Sequence, residues 1–211
     1  MPVVYRAEAI GYASSYGEYA PYMMASNRHG VLTQSRGGQL RLSAFHLTDT
    51  TKRFSYGFGA DFIAGITSAT NYQYYDVASQ SDRVRGVRPP SVYLQQLFAE
   101  LKYRCLFVTL GMKEYNSLIV NHSLSSGDLL YSGNTRPIPE IRIGFIDFQN
   151  VPFTQGWLQV QTEYSFGRNL DNSWMEKHYN YNGGWFDRIC INTFYSYKRF
   201  YFRTNPSQPF S

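Results

Sequence analysis

The sequence predicts an all-β fold: an antiparallel up-and-down transmembrane β-barrel, present as a partial barrel of about nine strands with long outer loops. Three observations predict it. Segments of alternating apolar and polar residues recur along the 211 residues, and period two marks a strand with one greasy face. The connections between these segments are alternately long and short, the pattern in which outer-membrane barrels carry long loops on one rim and tight turns on the other. Aromatic residues are 18% of the chain, with 19 Tyr and 15 Phe, while charged residues are only 17%, against about 25% in an average soluble domain.

Val4 to Tyr12 opens the series of strands. Gln39 to Leu47 follows, with Leu40, Leu42 and Ala44 against Arg41 and Ser43. Arg53 to Ile66 is the clearest: Phe54, Tyr56, Phe58, Ala60, Phe62, Ala64 and Ile66 share one face, with Ser55, Gly57, Gly59, Asp61, Ile63 and Gly65 on the other. Its length suits a tilted bilayer crossing better than an average globular strand of about 5 to 6 residues. Leu94 to Lys113 reads as a hairpin turning near Arg104, with Leu97, Ala99, Leu101, Tyr103, Leu106, Val108, Leu110 and Met112 outward. Gln96, Glu100, Lys102, Thr109, Gly111 and Lys113 face inward. Glu140 to Phe145 sets Ile141, Ile143 and Phe145 against Glu140, Arg142 and Gly144.

Trp157 to Arg168 alternates Leu158, Val160, Thr162, Tyr164 and Phe166 with Gln159, Gln161, Glu163, Ser165 and Gly167. The last unit reads as a hairpin: Ile189, Ile191, Thr193, Tyr195 and Tyr197 alternate, the chain turns near Lys198 and Arg199, and Phe200 to Thr204 returns. The long connections are Ala13 to Gly38, Thr67 to Ser91, Glu114 to Pro139 and Asn169 to Asp187; the short ones lie near Asp49, Arg104, Asn150 and Lys198. A soluble β-sandwich explains the alternation but gives no reason for every second connection to be long. Helical folds are excluded: no 3.6-period stripe persists, and 17 Gly with 9 Pro interrupt the chain. The sequence also holds no run of about 18 apolar residues that would make a transmembrane helix.

Composition narrows function. The net charge of +5 and pI near 9.1 come from basic residues scattered among acids, so no nucleic-acid stripe is expected. Cys105 and Cys190 form no CxxC or Cys/His cluster and are read as unpaired. His29, His46, His122 and His178 lack zinc-ligand spacing, so neither metal nor cofactor is expected. Ser125 and Ser126 lie near His122, yet the nucleophile elbow GxSxG is missing, and the chain is read as non-catalytic. The inward residues Asp61, Glu100, Glu140, Gln159, Gln161 and Glu163 resemble the paired acids of a glycosidase only superficially. Arg41, Lys102, Lys113 and Arg142 share their side, and a polar barrel interior braced by ion pairs accounts for them.

The most distinctive segment runs from Leu124 to Gly144, LSSGDLLYSGNTRPIPEIRIG. Gly127 and Gly133 permit positive φ, Pro137 and Pro139 fix φ, and Arg136 presents a guanidinium fork. Tyr131, Asn134 and Arg136 are therefore candidate glycan contacts, as are Asn172, Trp174 and Trp185 in a later long loop. The alternative is a loop that merely narrows the lumen. Trp157 fits either the aromatic girdle at a membrane boundary or a sugar-stacking platform.

The stretch LSSGDLLYSGNTRPIPEIRIGFIDF, followed by VPFTQGWLQVQTEYSFGR and Asp171-Asn172-Ser173-Trp174, resembles the outer-membrane capsule assembly protein Wzi family, especially its Bacteroidetes-type members. Ala20-Pro21-Tyr22-Met23, Asn27-Arg28-His29-Gly30, Arg53-Phe54-Ser55-Tyr56-Gly57, Leu101-Lys102-Tyr103 and Gly111-Met112-Lys113-Glu114 extend the likeness along nearly the whole chain. The resemblance implies a bacterial outer-membrane location and a barrel that anchors capsular or other surface polysaccharide as a lectin, without catalysis. Polysaccharide and outer-membrane lipid would be its partners, and the full-length protein would be monomeric. Residues 1–211 then form a single domain, the N-terminal part of such a barrel. The odd strand count agrees with truncation, because bacterial single-chain barrels close with an even number, and Met1-Pro2-Val3-Val4 carries no secretory signal. An outer-membrane channel for polysaccharide or small solutes and a soluble all-β glycan-binding domain are the alternative readings.

Overall fold

The computed structural model describes residues 2–15, 17–76, 78–115, 121, 124–125, 127, 132–170 and 193–204. Eleven strands and one helical turn follow in order: β1 (Val4–Ala13), α1 (Tyr22–Ala25), β2 (Arg36–His46), β3 (Phe54–Thr67), β4 (Thr70–Asp76), β5 (Ser81–Val87), β6 (Val92–Tyr103), β7 (Leu106–Met112), β8 (Glu140–Phe145), β9 (Gln149–Asn150), β10 (Leu158–Arg168) and β11 (Phe194–Thr204). The fold is all-β.

One nine-stranded sheet dominates, in the order β1-β2-β3-β6-β7-β8-β10-β11, with the two-residue β9 set against β10. Every pairing is antiparallel, and the path is a meander in which chain neighbours are also sheet neighbours once the β4–β5 hairpin is set aside. The sheet is not closed; β1 and β11 are its edges. In such a meander successive connections alternate between the two ends. The strand ends at Ala13 and Arg36, Thr67 and Val92, Met112 and Glu140, and Arg168 and Phe194 lie at one end, and residues 47–53, 104–105 and 146–157 at the other.

The two faces have opposite chemistry. Along β3 the burial alternates residue by residue, with Phe54, Tyr56, Phe58 and Phe62 exposed and Ser55, Asp61 and Ile63 buried. The same phase holds in β6, β7, β8 and β10, where Leu97, Leu101, Val108, Leu110, Ile141, Ile143, Tyr164 and Phe166 are exposed. Among the described residues five hydrophobic side chains are buried against sixteen polar or charged ones, the reverse of a water-soluble core. The small apolar cluster that exists, Val31, Leu32 and Ile63 with Ile10, Tyr12 and Tyr93 packed on it, sits under the long connections.

Two expectations are corrected. The turn near Lys198 and Arg199 does not occur: β11 runs straight through, pairing Lys198 with Tyr164 and Arg199 with Glu163. Neither residue favours positive φ, and both continue the alternation, Arg199 buried and Lys198 exposed. Tyr195 and Tyr197 therefore belong to the polar side, and Phe194, Phe200 and Phe202 to the apolar one. With one strand there in place of two, eight strands of full length plus the β9 stub form the sheet. Ile189 and Ile191 lie outside the described residues.

The connection from Thr67 to Ser91 is not a plain loop. It contains the separate β4–β5 hairpin, with Thr70 opposite Val87 and Asp76 opposite Ser81. Its β5 arm is exposed on both faces over most of its length, so it offers none of the apolar alternation by which the other strands are legible. The β3–β6 pairing contains a β-bulge: the register shifts between Asp61 and Phe62, which face Gln96 and Leu94. Gln95 is the extra residue, and the shift buries both Gln95 and Gln96.

Candidate functional site

The polar face is built from side chains that the register places side by side. Ser43 of β2, Asp61 of β3 and Gln96 of β6 are direct cross-strand neighbours. Asp61 is fully buried and accepts Arg41 Nε at 2.8 and 3.1 Å, Ser43 Oγ at 3.1 Å and Gln96 Nε2 at 3.3 Å. A further bond comes from Arg41 Nη2, which also reaches Glu114 Oε1 at 2.9 Å. Gln95 Nε2 donates to that same oxygen at 3.1 Å and to the His29 carbonyl at 2.9 Å. The bulge thus delivers a second amide that ties β6 to the long-connection end.

Two more clusters follow along the sheet. Glu100 accepts Lys113 Nζ at 2.6 Å, Thr109 Oγ1 at 2.8 Å and the Thr48 hydroxyl. Glu140 accepts bonds from Arg142, Ser165 and Tyr195. Glu163 takes Tyr197 OH at 3.1 Å and lies 3.4 Å from Arg142 Nε. Arg199 donates to Tyr115 OH, and its guanidinium lies 5.0, 5.1 and 5.4 Å from the rings of Tyr115, Tyr197 and Tyr201. Gln161 Nε2 donates to the carbonyls of Phe145 and Ile146, each at 3.2 Å.

Two of the residues expected to neutralise or be neutralised do something else. Lys102 meets no carboxylate; its Nζ donates to the carbonyls of Thr50, at 2.8 Å, and Lys52, which fastens the β2–β3 turn to β6. Gln159 stands apart from the buried network near the short-turn end, where its Oε1 accepts Arg203 Nε at 2.9 Å. Glu114 and Tyr115, which the sequence reading left in a loop, are full members. The carboxylates are occupied by donors from neighbouring strands, an arrangement that holds strands in register and disperses charge. Among the described residues no group of three or more His, Cys, Asp or Glu side chains is placed to hold a metal ion.

At the long-connection end the polar face opens into a cavity of about 650 Å³. Gln39, Ile63, Gly65 and Tyr93 form its floor from β2, β3 and β6, and the connecting segments contribute Val31, Leu32, Gln34, Arg88, Pro89, Pro90, Asn134 and Arg136. Two stretches over 100 residues apart meet there. Asn134 Oδ1 accepts the Asn27 backbone N–H at 2.7 Å, and the His29 N–H donates to the Gly133 carbonyl at 2.6 Å. Gly30, at φ +71°, lets them close: a Cβ there would stand 2.9 Å from Arg136 Cγ and 3.2 Å from the Asn134 carbonyl.

Arg136 is held by the cavity wall. Its guanidinium lies 4.4 Å from the Tyr93 ring centroid, Nη2 donates to the Leu94 carbonyl at 3.1 Å, and Nε is buried with no partner. Burial pushes its pKa below the usual arginine value. Gln39 Nε2 donates to the Val31 carbonyl at 3.2 Å, leaving its Oε1 buried and without a donor. Of the six glycan candidates, Asn134 and Arg136 share this cavity, while Tyr131, Asn172, Trp174 and Trp185 lie outside the described residues. Tyr93 and Gln39 were missed; inward parity marks Gln39, but only the closing of residues 27–30 on 133–136 makes a cavity of them. Comparison with protein-family models, with curated proteins and with solved structures gives no match.

Proposed function

We propose that the chain forms part of a bacterial outer-membrane β-barrel that binds and anchors surface polysaccharide without catalysing a reaction on it. The observation that carries this reading is the inverted distribution of side chains: apolar rows are exposed along one face, and buried ion pairs line the other. Lipid is the medium that favours exposed Leu, Val, Ile and Phe at alternate positions of strands this long. The cavity supports the binding half of the proposal, since it combines apolar walls with amide and guanidinium groups, the mixture that sugar-ring faces and hydroxyls require. The resemblance of residues 124–148 to capsule assembly proteins points the same way.

The reading carries a structural requirement. An open sheet edge in hydrocarbon leaves N–H and C=O groups unpaired, so β1 and β11 must be joined by further strands or by another copy. Arginine at Val108, which is 40% exposed in the middle of β7, tests the lipid face. In lipid Val108→Arg costs about 2–4 kcal/mol, whereas on a water-facing sheet it is nearly neutral, and a neutral result overturns the membrane assignment. Replacing Arg136 and Trp174 together should reduce glycan retention with assembly intact; unchanged retention refutes those contacts. Bilayer conductance separates anchoring, which predicts little steady current, from a channel.

A further inference from the structure

Most of the cations on the polar face have partners that account for them: Lys102 donates to two backbone carbonyls, and three others are ion-paired. Arg41 is paired with Asp61 and Glu114, Lys113 with Glu100, and Arg142 with Glu140 and Glu163. Arg136 is different. It is largely withdrawn from water and within reach of a cavity, yet it forms no ion pair among the described residues; its contacts are an aromatic face and one carbonyl. A desolvated guanidinium without an anion is costly, and one ring face and one carbonyl offset only part of that cost. The cavity lining contains Arg88 as a second cation and no Asp or Glu at all.

We propose that this cavity is the subsite for an acidic sugar unit of the polysaccharide, with Arg136 receiving its carboxylate. This rests on the polysaccharide-binding reading and specifies its ligand class. A volume of about 650 Å³ admits one or two sugar rings within the usual range of small-ligand sites, roughly 300–1,000 Å³. Tyr93, Val31, Leu32 and Ile63 supply apolar wall for the C–H faces of those rings. A carboxylate suits the site better than a phosphate: Arg88 is exposed to solvent, so the one withdrawn guanidinium, Arg136, balances a single negative charge, and a dianion would leave excess charge out of water.

The experiment is calorimetric titration of the full protein in detergent micelles with oligogalacturonate, oligomannuronate and a glucuronate-containing oligosaccharide, each beside its methyl ester and beside galactose 6-phosphate. Esterification removes the charge and keeps the ring. At least one acid is expected to bind tenfold or more tightly than its ester, and Arg136→Gln should abolish that preference. Gln39→Glu, which places a carboxylate inside the cavity, should abolish it too, so the proposal stays testable if the Arg136 variant fails to assemble. Equal binding of acids and esters overturns the acidic-sugar assignment and leaves polysaccharide binding standing. Binding of none of these carbohydrates overturns both. Tighter binding of the sugar phosphate than of every uronate overturns the carboxylate.

Discussion

Asp61 is the carboxylate on which the polar face is most dependent, and removing it has a calculable effect. It is fully buried and accepts bonds from Arg41, Ser43 and Gln96. In Asp61→Ala, Arg41 stays desolvated with Glu114 as its remaining carboxylate, and Ser43 and Gln96 each lose an acceptor. Breaking a buried pair from one side costs about 3–5 kcal/mol. Arg41→Ala should cost a similar amount, since Asp61 then keeps only two neutral donors.

Removing both residues relieves the uncompensated charge, so the double variant should be less damaged than the sum of the single losses, by about 1–3 kcal/mol. The assay is reversible urea unfolding of the full protein in lipid vesicles, followed by Trp fluorescence and circular dichroism, with the four proteins of the cycle compared at matched lipid ratio. Additivity within about 0.5 kcal/mol would refute the claim that charge pairing, and not side-chain volume, makes this site essential.

Two further predictions concern backbone and turn. Gly111 lies at φ +113° with a hypothetical Cβ only 2.1 Å from the Leu97 carbonyl, so Gly111→Ala must displace β7 from β6. A loss of about 2 kcal/mol or more is expected, read by hydrogen exchange of the β6–β7 amides; unchanged protection would contradict the geometry. At the tip of the β4–β5 hairpin the Ser79 hydroxyl, the Ala78 N–H and Arg83 hold the Asp76 carboxyl below its ordinary value of 3.8. A depressed folded pKa means that the stabilisation is present above 3.8 and is lost as pH falls through the lower folded value. The hairpin amides should therefore show lower protection, relative to the intrinsic exchange rate at each pH, below that pH than at neutrality, and Asp76→Asn should remove the difference.

Much of the architecture was readable without coordinates because period two is a local property. Phe54 to Ile66 declares two faces by its own alternation, and no tertiary contact is needed to know that Asp61 and Phe62 point apart. The spacing of connections was legible for the same reason. The failures are equally local: Lys198 and Arg199 interrupt no alternation, yet they were read as a turn, and the β4–β5 arms have no apolar face to signal a strand.

What the sequence determined alone is the phase of β3, β7, β8 and β10, hence which of their side chains share the polar side and which the apolar side, since the pleat reverses direction at every residue outside a bulge. Tertiary structure decided the pairings: Glu114 against Arg41, Lys102 onto backbone carbonyls, and Arg136 over Tyr93 with no ion pair among the described residues. Those depend on register, on the bulge at Gln95, and on residues 27–30 closing against 133–136, contacts between segments whose distance along the chain says nothing about their distance in space.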